Sequence, residues 1–554
     1  MTGIRNAARA PARSVWLAAC CVVVGLPVQA HEATRAAALA RFQPAAPELS
    51  PAVAGGSPRT ATLRVEVRDA ATGQIAPANV RIHLEDSGAV FVPDDPATAT
   101  GLYRTPEWYT LEATDELELP AEAVRVEAFR GIEWSTAAAE VALRPGELHV
   151  VRLELSRMHD IASENWVSGN THLHLQQTDR AYADRYLRTV PLADEVRVSF
   201  VSYLERAGDD HHYASNLYRP ADLVALEGGP GALRFGWGQE TRHNFGAYGE
   251  GYGHVLLLDL DELIQPVSTG VSLLGLDGHD GVPVAAAIEQ AHEAGATVIW
   301  AHNDFGLEDI PHQVARRVHA QNIFDGGDAT HYDASFYRYL DLGLTVPFST
   351  GTDWFMTDLM RVFVKVEGTL TVESWLRELR AGRSFITNGP LLFLNAGDHV
   401  IGDTINGAVG DVVRVTARAV GRADYKRVEL VYNGRVVHAA ATGRAGQTFD
   451  AEIDFPLEIT GPGWIAARIP WHNNTNLLGE VLRAHTSPIY LVVDGERRFD
   501  VNTARGLIRE MRESMDVASA KGVFPTEEAR QAVLDVYRRG IGTLEGQVRT
   551  HAGD

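Results

Sequence analysis

The spacing of apolar residues changes twice along the chain, and this change limits the possible folds more than any other feature. Apolar and polar residues alternate in 63–67 and again in 413–415, as they do in a half-buried strand. Between these regions, continuous apolar runs such as 296–301 alternate with helical patterns such as 284–294. We therefore predict a multidomain chain in which two β-sandwiches flank an α/β unit.

The first 30 residues have the pattern of a secretory signal peptide. Three arginines precede an apolar stretch, and Ala30 ends a small-residue cleavage site. Both cysteines, Cys20 and Cys21, lie in this segment, so the mature chain would have no disulfide and no thiolate metal site. Residues 17–20 also resemble a lipoprotein signal, but the apolar run continues past Cys20 to Val24. We therefore predict a periplasmic or secreted protein, with a lipoprotein as the alternative.

Breaks in the patterns predict six segments. Residues 31–60 are rich in Ala and Pro, which is typical of a linker, and the chain from Thr503 has helical spacing with a second helix from about Thr526. The predicted segments are a signal peptide at 1–30, a leader or linker at 31–60, a β-sandwich at 61–157, an α/β domain at 160–390, a β-sandwich at 391–496 and a helical tail at 500–554.

The charge balance disfavours one class of partner. The chain has 50 Lys and Arg against 72 Asp and Glu, a net charge of −22. Because nucleic-acid binding depends on Lys and Arg that neutralise phosphates, no nucleic-acid partner is expected. No stretch beyond the first 30 residues has the roughly 18 apolar residues of a transmembrane segment. The oligomeric state is left open.

Candidate metal ligands follow several of the predicted strands. His172 and His174 form an H-x-H pair, and alternate residues of a strand face the same way, so both can bind one ion. Glu240, His302 and Asp353 follow other strands, and polar residues at the C-terminal strand ends of a barrel converge on one pocket. Taken singly, His302 also fits a core histidine and Asp353 a turn cap. Together the five predict a nitrogen and oxygen site for Zn²⁺, Mn²⁺ or Fe.

Five segments resemble the CehA/McbA family of metallohydrolases, within the PHP (polymerase and histidinol phosphatase) superfamily. They are Ser168-Gly169-Asn170-Thr171-His172-Leu173-His174, Gly253-His254-Val255, Ala301-His302-Asn303, Ser349-Thr350-Gly351-Thr352-Asp353 and, most specific, Ala381-Gly382-Arg383-Ser384-Phe385-Ile386-Thr387-Asn388-Gly389-Pro390. The resemblance covers roughly residues 160–550. It implies a PHP-like distorted (β/α)7 barrel at 160–390, with the five candidate ligands binding metal. The N-terminal sandwich looks like a carboxypeptidase-regulatory-like module, a looser match.

The chain departs from the family pattern at three places. Asn170-Thr171 stands where the family often has Asp before H-x-H, and Phe355 stands where many PHP members have the histidine of D-x-H. The usual Asp-His after the second strand is missing. Three residues are candidates to replace it: Glu205, Asp209 and His211. These departures favour one or two metal ions over a three-ion cluster.

These features predict an enzyme that uses a metal-activated water to hydrolyse an ester-type bond in a small molecule. The bond class stays open between phosphoester, carboxylic ester and carbamate. His254 or His243 is the candidate acid for the leaving group, because imidazole titrates near neutral pH. Glu205 is a further catalytic candidate, and Arg242 and Arg361 are candidates to hold an anionic substrate, or else form surface salt bridges. The alternative function is a catalytically decayed periplasmic protein that binds carbohydrate or a surface.

Overall fold

A computed structural model describes residues 60–91, 107–176, 178–205, 213–228, 233–243, 251–270, 278–303, 305–327, 332–356, 358–471 and 473–552. The predicted signal peptide lies outside these residues, as do Asp209 and His211 and nearly all of the predicted linker.

The N-terminal region contains two sheets that pack on each other. Their strands are β1 (Thr60–Asp69), β2 (Ala78–Leu84), β3 (Ala89–Phe91), β4 (Tyr109–Leu111), β5 (Thr114–Pro120), β6 (Ala123–Phe129), β7 (Thr136–Ala142) and β8 (Leu148–Leu155). One sheet has the order β5-β1-β8, and the other has the order β3-β2-β6-β7 with β4 beside β2. Leu63 and Val65 of β1 share a core with Val80 and Ile82 of β2. The alternating residues thus supply the core between two sheets.

A large mixed sheet follows. Its first strands are β9 (Trp166–His174), β10 (Val198–Tyr203), β11 (Arg234–His243), β12 (His254–Leu258), β13 (Ser268–Thr269), β14 (Thr297–Trp300), β15 (Ala320–Asn322), β16 (Phe348–Ser349), β17 (Asp353–Trp354), β18 (Arg361–Lys365) and β19 (Ser384–Thr387). The pairs β9–β10 and β10–β11 are parallel, whereas β11–β12 and β12–β14 are antiparallel. On its other side β9 pairs antiparallel with β18, and β18 with β19.

The predicted (β/α)7 barrel is wrong. In such a barrel each strand is parallel to its neighbours and is followed by a helix. Here the sheet is mixed, and β19 pairs with Ala484–Thr486 of the C-terminal region, so the sheet continues past residue 390. Parallel neighbours need a crossover of about a dozen residues or more, and only the ten residues 244–253 separate β11 from β12. Apolar runs predict buried strands, but they do not specify the direction in which those strands pair.

The C-terminal region supplies a further sheet and an extension of the large one. Its strands are β20 (Leu391–Ala396), β21 (His399–Val400), β22 (Thr404–Gly407), β23 (Val412–Gly421), β24 (Arg427–Tyr432), β25 (Arg435–Ala441), β26 (Gly443–Ala445), β27 (Thr448–Glu458), β28 (Gly463–Arg468), β29 (Ala484–Thr486) and β30 (Ile489–Val493). Five of them form the separate sheet β21-β20-β23-β27-β26. Leu392 and Val415 of this sheet share a core with Leu430 and Ile465 of the large sheet.

The described α-helices are short, except at the C-terminus. They are α1 (Arg180–Ala193), α2 (Pro220–Val224), α3 (Val284–Glu293), α4 (Asp309–Val314), α5 (Tyr332–Ser335), α6 (Tyr337–Leu340), α7 (Val372–Arg380), α8 (Val501–Lys521) and α9 (Glu527–Ala552). The last two confirm the predicted tail helices, and Met511 and Tyr537 join the core of the large sheet. Within the part of the chain that the structure describes, no helix combines the length and the hydropathy that crossing a bilayer requires.

His485 of β29 is a buried histidine held in its neutral form. Its Nε2 lies 2.7 Å from the hydroxyl of Tyr337, and its Nδ1 lies 2.7 Å from the carbonyl oxygen of Thr486. The carbonyl can only accept, so Nδ1 donates and Nε2 accepts from the tyrosine. The ring also stacks on Phe348, with centroids 4.2 Å apart. Burial lowers the pKa of His485 to about 3.

We expect His485 to make the protein less stable as the pH falls below about 6.5. Its folded pKa is depressed, so its contribution is fully present above the unfolded pKa and is lost as the pH falls through about 3. Between these limits the unfolded state binds one more proton, which lowers the free energy of unfolding by about 1.4 kcal/mol per pH unit. Urea unfolding between pH 6 and pH 4 should therefore show a shallower pH dependence for His485→Gln than for the parent. The exposed His438→Gln serves as the control; equal slopes for parent and His485→Gln would contradict this account.

Candidate metal centre

Four predicted ligands meet in one cluster. His172 and His174 of β9, Glu240 of β11 and Asp353 of β17 each offer one ligand atom, and these atoms lie within 4.8 Å of one another. All four side chains are buried, with at most 5% of each residue exposed. Two imidazoles and two carboxylates form a nitrogen and oxygen donor set that suits Zn²⁺, Mn²⁺ or Fe. The buried groups can hold a metal ion, as the sequence predicts.

The fifth predicted ligand, His302, lies beside this cluster. It forms one further group of potential ligands with His172 and Asp325, and another with Glu240 and His254. His302 follows β14 and has a left-handed backbone with φ 60°, the same value as Asp353. This conformation is uncommon for residues other than glycine and persists where the surrounding structure imposes it.

The approach of Asp353 to the H-x-H pair depends on a close contact between two backbone segments. Thr352 N donates to the carbonyl oxygen of His172, and Trp354 pairs in parallel with His174. Between them, a Cβ atom on Gly351 would lie 2.3 Å from the Cβ of His172, so only glycine fits without displacement. The segment that carries Asp353 can therefore lie against the strand that carries the histidines.

Hydrogen bonds orient both histidines toward the centre. His174 Nδ1 lies 2.9 Å from the carbonyl oxygen of Ser202, and His172 Nδ1 lies 2.8 Å from Asp325 Oδ2. Both partners are acceptors, so each Nδ1 carries a proton, and whenever the ring is neutral the lone pair of its Nε2 points inward. The two Nε2 atoms are 3.0 Å apart, and His174 Nε2 is 3.0 Å from Glu240 Oε2. With both rings neutral, acceptor atoms face one another, and an added proton or a metal ion between them would offset their repulsion.

The pKa values of His172 and Glu240 reflect the charges that surround them in the cluster. Burial lowers the pKa of His172, but the charges of Asp325 and Asp353 outweigh burial and hold that pKa well above its usual value. Burial raises the pKa of Glu240, but Arg242 and the neighbouring histidines hold it well below its usual value. The cluster therefore favours a positive charge, either a proton or a metal ion.

The sequence analysis missed Asp325. This carboxylate is buried, and His172 holds its pKa at about 2 despite the opposing effect of burial. Its Oδ1 has no hydrogen-bond partner among the described residues, which leaves that atom available to a cation. Asp325 follows the short strand β15, so an acidic residue after a strand was the available signal.

We expect Asp325→Asn to weaken metal binding by about 10- to 100-fold. The amide oxygen can still accept from His172 Nδ1, but the negative charge that makes His172 a stronger ligand is lost. Titration of the metal-free protein against a chromophoric chelator measures the change. Asp398→Asn, at an exposed turn, is the matched control, and an unchanged affinity in Asp325→Asn would show that this carboxylate does not support the site.

His254 and Arg242, both predicted as catalytic, lie against Glu240. Arg242 Nε donates to His254 Nε2 over 3.0 Å, so the proton of the neutral ring is on Nδ1. That nitrogen lies 3.1 Å from Glu240 Oε1. Burial and Arg242 hold the pKa of His254 well below its usual value. In this arrangement both ring nitrogens of His254 face protein groups, and His254 also belongs to a group of potential ligands with Glu240 and His302.

The other three catalytic candidates lie elsewhere. His243 is buried, and burial lowers its pKa to about 4, which disfavours the protonated form that an acid needs at neutral pH. Glu205 is exposed and accepts a hydrogen bond from the hydroxyl of Tyr203. Arg361 forms a buried ion pair with Asp194, with Nη2 3.1 Å from Oδ2. None of these three is in the groups of potential ligands, and their catalytic roles stay predictions.

Aromatic rings cover two sides of the cluster. Trp354 lies 5.2 Å from His174 and stacks on Tyr213 at 5.7 Å, measured between ring centroids. Phe305 lies 4.7 Å from His254 and 5.1 Å from His302. These rings border the cluster with apolar surface, and a less polar surrounding strengthens electrostatic interactions within it.

Comparison with known proteins adds little. No protein-family model matches the chain, and no curated protein sequence matches it. One solved structure with a local likeness is the Bacillus anthracis TIE protein, which is 14% identical over 22% of this chain, with a TM-score of 0.13. The match spans 19% of that protein's length, and so low a TM-score carries no argument.

Proposed function

We propose that this protein is a metal-dependent hydrolase that cleaves an ester-type bond in a small molecule, similar to the CehA/McbA metallohydrolases. The observation that carries the proposal is the inward convergence of His172 Nε2, His174 Nε2, Glu240 and Asp353. A purely structural cluster would pair acceptors with donors, because unpaired buried acceptors are costly. Here no protein donor among the described residues pairs the inward atoms, and only an added proton or a metal ion offsets their repulsion. Export stays a prediction from the sequence.

The residues of the site would have two roles, to bind the metal ion and to orient its ligands. His172, His174, Glu240 and Asp353 would hold the ion, with His302 and Asp325 available beside them. A divalent ion bound there supplies a Lewis acid and makes bound water more acidic. Asp325 and the carbonyl oxygen of Ser202 keep the two imidazoles in the required tautomer. Such supporting contacts are what preserve ligand geometry in metal enzymes.

Arg242 is the candidate for binding an anionic group of the substrate. Its Nε lies 3.7 Å from Glu240 Oε1, at the edge of the cluster, and the residue is 8% exposed. A guanidinium in this position can orient a carboxylate or phosphoryl oxygen beside the bound ion. Arg361 is a weaker candidate, because its charge is already paired with Asp194. The substrate class stays open between phosphoester, carboxylic ester and carbamate.

The test uses the full chain freed of metal with a chelator. Zn²⁺, Mn²⁺ or Fe²⁺ is added back, and hydrolysis of p-nitrophenyl phosphate, p-nitrophenyl acetate and an aryl carbamate is followed. We expect activity on at least one probe that saturates at one or two equivalents of metal. A protein that binds metal stoichiometrically but hydrolyses no probe above the rate of free metal would contradict the proposal.

A further inference from the structure

A cavity lies apart from the metal cluster, where β7 of the N-terminal region meets the C-terminal sheets. Its volume is about 160 Å³, and none of the potential metal ligands lines it. Residues that line it include Thr136, Asn388, Arg422, Asn476, Leu477 and Leu482. Thr136 and Leu477 are exposed, so the cavity opens to solvent, whereas Asn388 and Leu482 form a buried floor.

Arg422 is the charged residue of this lining. Its Nη1 donates to the carbonyl oxygen of Trp134 over 3.1 Å, and its guanidinium lies over the ring of Phe129 at 5.6 Å. Among the described residues it makes no other hydrogen bond. Its Nε and Nη2 therefore have no hydrogen-bond partner among the described residues. These two parallel donors match the two oxygens of a carboxylate or phosphate.

Arg422 and the charged groups that act on it carry a net positive charge. Asp194 and Arg361 are the charged groups that act on it, and Asp194 is already in an ion pair with Arg361 at 3.1 Å. Two guanidinium groups thus share one carboxylate. Burial and Arg361 together lower the pKa of Arg422 to about 10, so it remains charged at neutral pH. This surplus of positive charge stands out in a chain whose net charge is −22.

Residues 381–390, the most specific motif of the family resemblance, stabilise one wall of the cavity. None of these residues is a potential metal ligand. Asn388 Nδ2 donates to Val481 O over 2.9 Å, and its Oδ1 accepts from Arg483 N over 2.7 Å. Asn476 Nδ2 in turn donates to Asn388 O over 3.3 Å. Asn388 therefore anchors the loop 473–483 that forms one wall. The motif builds this cavity.

We propose that the cavity binds a small oxyanion, a carboxylate or a phosphate, through the guanidinium of Arg422. The volume is close to that of a cavity which admits benzene, so the ligand has about six non-hydrogen atoms or fewer. Uncharged groups such as Thr136 and Asn476 line the rest of the polar surface, and no acid lines it to repel an anion. This proposal does not depend on the proposed function.

The test is calorimetric titration of phosphate, acetate and oxalate into the full chain. For this titration alone, the parent protein is the His172→Ala/His174→Ala chain, because these substitutions remove any oxyanion binding at the metal cluster. We expect at least one probe to bind with a dissociation constant of about 1 mM or tighter. Arg422→Gln should weaken that binding at least about tenfold, since a charge-assisted pair is lost. The exposed Arg444→Gln is the matched control and should bind as the parent does.

A second variant separates binding from folding. Leu477→Trp places bulk at the exposed mouth of the cavity and leaves Arg422 in place, so it too should weaken binding, with an unchanged circular dichroism spectrum. No binding of any probe to the parent would overturn the proposal. Binding to Arg422→Gln that is as tight as to the parent would also overturn it.

Discussion

The full chain with both His172 and His174 replaced by alanine is expected to retain no stoichiometric divalent metal and no hydrolytic activity. The two Nε2 atoms are half of a four-atom donor set, and the remaining carboxylates would repel each other without them. We expect the hydrolytic rate to fall at least about 10³-fold, because several kcal/mol of charge stabilisation in the transition state are lost. Elemental analysis of untagged protein measures the metal, and the ester panel measures the rate.

The control for this pair is His438→Ala, an exposed histidine of β25 that stacks on Phe455. It should keep both metal and activity. Thermal unfolding adds a second readout, since a ligand that binds only the folded state stabilises it by about 4 kcal/mol at a thousandfold excess over the dissociation constant. Added metal should raise the melting temperature of the parent but not of the double variant. A double variant that retains one equivalent of metal would exclude the histidines as ligands.

Asp194→Asn is expected to lower the free energy of unfolding by about 3–5 kcal/mol. Asp194 follows helix α1, is 1% exposed, and carries the negative charge of the buried pair with Arg361. The amide keeps the shape and can still bond to Asn79, which donates to Asp194 Oδ1 over 2.7 Å. It cannot neutralise Arg361, so that guanidinium is left buried without a counter-charge. Urea unfolding of the full chain measures the loss.

Asp184→Asn on the same helix is the matched control. Asp184 pairs with Arg180 near the surface, where each side chain is about a third exposed, and such pairs contribute about 1 kcal/mol or less. A second variant, Asp194→Asn/Arg361→Met, removes both charges and should recover much of the lost stability. Equal effects of Asp194→Asn and Asp184→Asn would show that the buried pair contributes no more than a surface pair.

Much of the site is predictable from sequence because ligand spacing follows local geometry. The two-residue period of a strand places His172 and His174 on one side, and both side chains do enter the cluster. Glu240, His302 and Asp353 were identified as polar residues at predicted strand ends, and the structure places Glu240 and Asp353 in the cluster and His302 beside it. The resemblance pointed to the same residues.

Asp325 and the roles of the arginines were not predictable in this way. Asp325 reaches His172 across 153 positions of sequence, and no local period records such a contact. Arg361 was a substrate-binding candidate by residue type alone, but its environment pairs it with Asp194, which lies far from it in sequence. The environment of a charge, rather than its identity, decides whether it is available to a ligand.

The sequence by itself determined where strands and helices lie, because hydrophobic periodicity is a local property. The predicted strand at 296–301 and the predicted helix at 284–294 correspond to β14 and α3 within a few residues. Only the tertiary structure decided that the large sheet is mixed rather than a (β/α)7 barrel, and that it continues into the C-terminal region. Strand direction and partner depend on contacts between distant segments, and a buried strand presents the same apolar run in either direction.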